Sequence, residues 1–232
     1  MSRRRPGRLA VPLFFLVAAV FTGIHAGADA SRAIAHPSTH HWLGATYDLL
    51  RTGVVVAFAL FTIGRAAPRE PARNPGALIV CAAAMIAVVA FAGPGPGVPS
   101  GLVIAGELLA VAFCVWLLVS VSFLGRCFGV LPEARGLVTS GPYRLVRHPV
   151  YLGELGACAG LALAAPSAAN GLVMCGFVVA QWVRMGMEER ALRAAFPEYA
   201  AYARRTPRLF PAVVHVLPGA RAVKPGRRYS TV

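Results

Sequence analysis

Long apolar runs alternate with short polar segments along this chain, and the runs have the length of membrane-spanning helices. The four longest cover residues 9–24, 43–63, 77–92 and 101–125. A helix needs about 20 residues to cross the hydrocarbon core of a bilayer. The pattern therefore predicts four spans, of which the first is short but can be extended to residue 28.

Two shorter apolar segments follow, at residues 151–165 and 171–187, and the stretch PSAAN joins them. Fifteen helical residues rise about 22 Å, which is less than the roughly 30 Å of the hydrocarbon core. We predict a tight helical hairpin here, and the sequence leaves open whether it crosses the membrane. The predicted fold is all-α: a polytopic integral membrane helical bundle of about four spans plus a C-terminal hairpin.

Composition also favours a membrane class over a soluble one. Apolar residues make up 57% of the chain and charged residues 14%, against about 25% charged residues in soluble domains. A net charge of +14 also occurs in proteins that bind nucleic acid. Here the basic residues flank apolar runs without an interleaved aromatic stripe. We therefore expect contact with anionic membrane lipids and no binding of nucleic acid.

Arginines are concentrated in alternate loops, which predicts the orientation of the spans. The intervening loops contain Arg32 alone. Because basic loops stay on the cytoplasmic side, both termini and the segment 141–153 are predicted to be cytoplasmic. The composition is rich in Arg, Ala and Gly and suggests a bacterial inner membrane. The N-terminal run also resembles a signal peptide with a cleavage site near residues 28–30; we favour an uncleaved first span.

Two ionisable side chains fall inside predicted spans, Arg51 in the second and Glu107 in the fourth. Both lie about 9–12 Å from the outer side by the helical rise, and charges inside a membrane usually have a partner. Either the two side chains form an ion pair, or each extends separately to the outer interface.

The segment between the last span and the hairpin reads GPYRLVRHPVYLG and is the most informative polar stretch. Pro149 is favoured at the first position of a helix, so His148 is predicted to cap the helix that opens the hairpin. The free N–H groups at that helix end, with Arg147 beside them, form an anion site. Tyr143 and Tyr151 add aromatic faces and hydroxyls. We therefore expect a pocket for a ligand with a carboxylate or phosphate and a flat ring.

The hairpin returns the chain to the same side, at a segment that reads RMGMEER. A spacing of four residues places Arg184 and Glu188 on one face of the helix. One interpretation is a surface ion pair that contributes little to stability. In the other, Glu188 binds an ammonium group and Arg184 binds an anionic group of a substrate, both opposite His148.

These motifs resemble those of the isoprenylcysteine carboxyl methyltransferase family. The matching elements are LVTSGPYRLVRHPVYLG, MEERAL and FPEYAAYARRTPRLFP, which occur in that order. The resemblance implies an integral membrane enzyme that uses S-adenosylmethionine, bound in a cytoplasmic cofactor pocket. It divides the chain into transmembrane helices at 1–125, a methyltransferase core at 126–211 and a basic C-terminal tail at 212–232.

The resemblance also implies roles for individual residues. Arg184 matches an arginine that binds the substrate's carboxylate, and no residue is assigned a catalytic role. With Arg147 from the anion site added, the expected cofactor-binding residues are Leu137, Val138, Tyr143, Arg147, His148, Pro149, Tyr151, Glu188 and Glu189.

The expected acceptor is a lipophilic or amphiphilic small molecule or a lipidated substrate that enters laterally from the membrane. A carboxylate of the prenylcysteine type is favoured, because carboxylates are ionised at pH 7 and need no general base. The enzyme would then align the reactants and exclude water. An amine or thiol would need a base, for which His148 and Tyr143 are the candidates. Glu154 stands where a large apolar residue is common in the eukaryotic relatives, and its charge suggests a different acceptor.

Three other interpretations stay open. The first is a phospholipid N- or thiol S-methyltransferase of the same architecture. The second is a sterol-reductase-like enzyme that uses NADPH, because that class has a related turn with an acid after the glycine, as Glu154 is here. The third is a non-enzymatic membrane protein. The five cysteines show no metal-ligand spacing, so no metal site is predicted.

Overall fold

The computed structural model describes residues 10–63, 65–69 and 75–210, and its regular structure there is entirely helical. The predicted all-α class is confirmed. Two short 3-10 turns, Gly125–Cys127 and Gly141–Arg144, accompany the α-helices. The α-helices of the described residues are α1 (Ala10–Ala35), α2 (Thr39–Ile63), α3 (Pro75–Val89), α4 (Ser100–Leu124), α5 (Pro149–Ala164), α6 (Ala168–Ala195) and α7 (Tyr199–Arg205).

Four of the described helices are long and apolar enough to cross a membrane, namely α1, α2, α4 and α6. The predicted number of spans is confirmed, but one member of the set differs. The third apolar run forms α3, which has 15 residues and rises only about 22 Å. The return helix of the hairpin, α6, has 28 residues and rises about 42 Å. It extends beyond its apolar part because helical hydrogen bonds also form where the side chains are polar.

Helices α4 and α5 form the most closely packed pair, and glycines make this possible. A Cβ atom on Gly160 of α5 would lie 2.5 Å from the backbone nitrogen of Ala110 and 2.6 Å from the carbonyl oxygen of Gly106. Such small residues let membrane helices approach backbone to backbone. The indole of Trp116 on α4 adds a hydrogen bond of 2.9 Å to the carbonyl of Pro149. This pair is the frame of the molecule: α2 packs on α4, and α6 packs on α5.

Each outer helix packs mainly against one neighbour. Helix α1 packs along α2, and α3 packs against α6. At the turn between α5 and α6, the side chain of Asn170 bonds to both the backbone N–H (3.0 Å) and the carbonyl (3.1 Å) of Ala92, just after α3. This bridge fixes the end of α3 to the hairpin.

Two segments close the opposite end of the bundle. The backbone N–H of Arg69 donates to the carbonyl of Ala134 at 2.7 Å, which ties the chain after α2 to the loop after α4. Residues 206–210, which we call the strap, run beneath the start of α5. The backbone N–H groups of Arg147 and His148 donate to strap carbonyls at 2.8 and 3.1 Å.

Of the two alternatives for Arg51 and Glu107, an ion pair between them is wrong. Arg51 pairs instead with Asp48 at 2.8 Å, three residues earlier on the same helix. Glu107 pairs with His40 at 2.6 Å, at the start of α2. Each charge has a nearer partner, so the long reach across to the other helix is unnecessary. The N-terminal arginines and the predicted tail at 212–232 lie outside the described residues.

Candidate active site

A cavity of about 430 Å³ runs from the loops at one end of the bundle into the space between the helices. This volume lies within the usual range for small-molecule sites. Its polar end is lined by Tyr143, Arg147, His148, Tyr151, Arg184 and Glu188. Its apolar end is lined by side chains of α1, α2, α3 and α6, among them Phe15, Phe58, Met85 and Phe177.

Most of the residues predicted from the sequence meet in this cavity. In addition to the six at the polar end, Leu137 and Val138 line it. The two that do not line it are Pro149 and Glu189, which lie behind the wall. The hairpin therefore brings His148 and Glu188 to one cavity, as the sequence analysis required.

His148 is fixed on both sides. It precedes Pro149, the first residue of α5, as predicted. Its imidazole Nε2 lies 3.0 Å from Oε1 of Glu189, and the ring is almost completely buried. The phenol ring of Tyr151 meets the imidazole edge to face, with centroids 5.4 Å apart. The imidazole is therefore held in one orientation at the cavity wall.

Glu189 is the centre of a cluster of positive charges. Its carboxylate lies 2.9 Å from Arg147 and 3.2 Å from Arg208 of the strap, in addition to its contact with His148. Arg193, one turn later on α6, approaches it at 3.6 Å. The anion site predicted at the start of α5 thus contains a carboxylate of the protein itself. Glu189 orients Arg147 and His148 from behind, and its contact with a cofactor stays a prediction.

Glu188 faces the cavity and is held by Tyr151, whose hydroxyl donates to Oε2 at 2.8 Å. Tyr143 lies nearby, and its carbonyl accepts a bond of 2.7 Å from the hydroxyl of Tyr202 on α7. Burial, aided by the negative charge of Glu188, raises the pKa of Tyr143 well above its ordinary value. Its phenol therefore stays protonated and can donate a hydrogen bond to a ligand.

Arg184 lines the cavity and is bonded within the protein. Its Nη1 donates to Oε1 of Gln181 at 2.7 Å and lies 3.5 Å from Oε2 of Glu154. The guanidinium stands over the ring of Tyr151, 5.0 Å from its centroid. Gln181 also donates to Glu154. Gln181 was not among the residues predicted from the sequence, although its spacing of three from Arg184 places both side chains on one helix face.

The arrangement offers a carboxylate, two phenols and a guanidinium at one end, with apolar walls beyond. Such a set suits a ligand that carries charges and a ring, next to a second ligand with a hydrocarbon chain. Among the described residues, no group of three or more His, Cys, Asp or Glu side chains could hold a metal ion.

The sequence model of the phospholipid methyltransferase family matches residues 98–199. The match covers α4, the loop after it, and the α5–α6 hairpin, which together form the cavity's polar end. Methyltransferases of that family act in membranes and generally use S-adenosylmethionine. The match supports methyl transfer on a membrane substrate and does not confirm the narrower isoprenylcysteine family.

Two curated bacterial proteins are also similar. The cobalt-zinc-cadmium resistance protein CzcN of Cupriavidus metallidurans is 40% identical over 98 residues, which are 40% of this chain and 45% of that protein. The nickel-cobalt-cadmium resistance protein NccN of Alcaligenes xylosoxydans xylosoxydans is 36% identical over 76 residues, 32% of this chain and 36% of that protein. The matched region is less than half of each relative. The residues matched by the family model include those that line the polar end of the cavity.

Proposed function

We propose that this protein transfers a methyl group from S-adenosylmethionine to the polar end of a lipophilic acceptor in the membrane. The observation that carries the proposal is the single cavity that joins a charged end, around Tyr143, His148 and Glu188, to an apolar end between the helices. A charged cofactor would occupy the polar end and a lipophilic acceptor the apolar end, and the two would meet where the ends join.

The residues at the polar end fit S-adenosylmethionine by their chemistry. When bound, that molecule supplies a methyl group on a positively charged sulfur. Glu188 is suited to its ammonium group, and the protonated Tyr143 can donate to its carboxylate. Leu137 and Val138 offer apolar contacts for its adenine ring. These assignments stay predictions.

The protein's own residues would act by alignment and by exclusion of water. Glu189 holds Arg147 and His148 in place, and Tyr151 holds Glu188. The groups that meet the ligands are therefore oriented before binding, which lowers the barrier for an in-line displacement. The apolar walls keep water from the reacting centre.

The acceptor class depends on Arg184. The resemblance favours a prenylcysteine-type carboxylate bound by this guanidinium, and the position of Arg184 in the cavity wall supports contact with an acceptor. Two observations support the second candidate, a lipid amine. Glu154 already pairs with Arg184, and the matching family model describes phospholipid methyltransferases.

We propose that the protein lies in a bacterial inner membrane, with both termini and the polar end of the cavity on the cytoplasmic side. The concentration of arginine in alternate loops supports this orientation. It would give S-adenosylmethionine, which is made in the cytosol, direct access to the polar end.

The test is a binding titration of S-adenosylmethionine with the detergent-purified protein, followed by transfer of radiolabelled methyl into membrane lipid extracts. Glu188→Gln should weaken binding about tenfold to a hundredfold, because it removes a charged hydrogen-bond partner. Glu198→Gln is the matched control, since Glu198 is exposed at the start of α7. Binding of NADPH in place of S-adenosylmethionine would favour the reductase interpretation and contradict the proposal. Binding of neither S-adenosylmethionine nor NADPH would favour the interpretation as a non-enzymatic membrane protein and would also contradict the proposal.

A further inference from the structure

Glu154 is a charged residue in the cavity wall to which the predicted mechanism gives no role. It lies on α5, and its side chain is 17% exposed. Its carboxylate accepts a hydrogen bond from the amide of Gln181, and Gln181 is completely buried. The same Gln181 accepts from Arg184 at 2.7 Å. Glu154, Gln181 and Arg184 therefore form a closed triangle that fixes the carboxylate in one position.

The triangle changes what Arg184 can bind. Its positive charge is balanced by Glu154 at 3.5 Å, and its second terminal nitrogen, Nη2, donates to the carbonyl of Val130 at 3.5 Å. An acceptor carboxylate at this guanidinium would face Glu154 across a few ångströms inside the cavity. Like charges repel strongly there, because little water screens them.

We propose that Glu154 is a specificity-determining residue that excludes carboxylate acceptors and selects a lipophilic amine. The inference rests on the proposed function and deepens it. Arg184 then has the role of a counter-ion: it balances the charge of Glu154 inside the protein, where a carboxylate without a partner would be strongly disfavoured.

The same carboxylate supplies the base that an amine acceptor needs. A protonated amine gives one proton to Glu154 and becomes neutral. Its nitrogen lone pair then forms a bond to the methyl carbon, and the carbon–sulfur bond breaks with its electron pair staying on sulfur. The product leaves as a methylated ammonium ion, and Glu154 releases its proton to water. From the sequence, Glu154 suggested a different acceptor, but only His148 and Tyr143 were candidates for the base.

A matched pair of probes tests the selection, namely hexadecylamine and hexadecanoic acid, which have the same chain and differ in the head group. In competition on the wild-type protein, we expect the kcat/KM for the amine to exceed that for the acid by about tenfold or more, given the strength of like-charge repulsion at buried sites. Glu154→Gln should reduce this ratio about tenfold, while the affinity for S-adenosylmethionine stays unchanged. Glu154→Asp keeps the charge and should keep the preference with a lower kcat.

Each result has a defined meaning. A wild-type preference for the acid, methylation of neither probe, or a ratio that Glu154→Gln leaves unchanged would overturn the role of Glu154. In those cases the proposed function stands if S-adenosylmethionine still binds and membrane lipids are still methylated. If the wild-type protein does not bind S-adenosylmethionine at all, the proposed function itself is wrong. The wild-type competition needs no variant, so a poorly folded variant does not prevent a decision.

Discussion

The two ends of the cavity are built in opposite ways. At the polar end, each charged side chain is fixed by another: Glu189 by Arg147 and His148, and Glu188 by Tyr151. At the apolar end, the walls include side chains that are largely exposed on the surface of the bundle, such as Phe21 of α1 at 62% and Ile86 of α3 at 66%.

This difference matches two kinds of ligand. A small charged cofactor needs groups that are already in position, since misplacement by an ångström is costly for a displacement reaction. A hydrocarbon chain needs only apolar volume and a way in from the bilayer. Helix α3 packs against α6 and α1 packs against α2, so the apolar end is lined by both helix pairs.

The largest expected effect comes from the frame that holds the polar end. Gly160→Val would place carbon atoms against the backbones of Ala110 and Gly106, where even a Cβ comes within 2.5–2.6 Å. Since the backbone cannot yield as a side chain does, we expect a loss of more than about 3 kcal/mol in the free energy of unfolding. Thermal and denaturant unfolding in detergent measure this loss. Gly171→Val on α6, where a Cβ meets nothing within 4 Å, is the control, and equal stability of the two variants would contradict the close α4–α5 packing.

The second prediction concerns a substitution that removes the central carboxylate of the charge cluster at the polar end. Glu189→Gln leaves Arg147, His148 and Arg208 without their shared carboxylate. Removing one partner from a buried cluster costs about 3 kcal/mol. The affinity for S-adenosylmethionine should fall as well, because the imidazole loses its support. Unfolding and binding titrations measure both effects. Unchanged stability together with a large loss of binding would instead show that Glu189 contacts the cofactor directly.

The third prediction concerns the bridge between α3 and the hairpin. Asn170→Ala removes hydrogen bonds to the backbone of Ala92 and one of 2.7 Å to the carbonyl of Ala165. We expect a loss of about 2 kcal/mol, because buried backbone groups lose their partners. Ser167→Ala, which removes only the cap of α6, should cost about 1 kcal/mol. If both variants lost the same amount, the bridge to α3 would contribute nothing.

The features that could be predicted from the sequence are those set by neighbouring residues. The apolar runs gave the helices, and the proline at 149 gave the start of α5 with His148 before it. A shared helix face and the return of the hairpin placed Glu188 opposite His148, and both line one cavity. Local sequence decides such features, since helix ends and faces depend on residues within a few positions.

The features that were missed depend on contacts between distant parts of the chain. Similar depth made an ion pair between Arg51 and Glu107 one of two alternatives, yet each side chain has a nearer partner. The strap's contact with the start of α5 and the pairing of Glu154 with Arg184 also join separate elements. Depth and spacing do not specify which faces of two helices meet. These contacts could therefore not be predicted from the sequence.

The smallest expected effect sharpens the comparison at the apolar end. Ala18 of α1 lines the cavity, and Ala18→Phe would reduce the volume there. We expect the KM for hexadecylamine to rise about fivefold, equivalent to about 1 kcal/mol, while the affinity for S-adenosylmethionine stays constant. The control is Val17→Phe, because Val17 is 63% exposed on the outer side of the same helix. An equal rise in both variants would mean that α1 acts only through general stability, and a fall in cofactor affinity with Ala18→Phe would mean that the two ends do not act as separate sites.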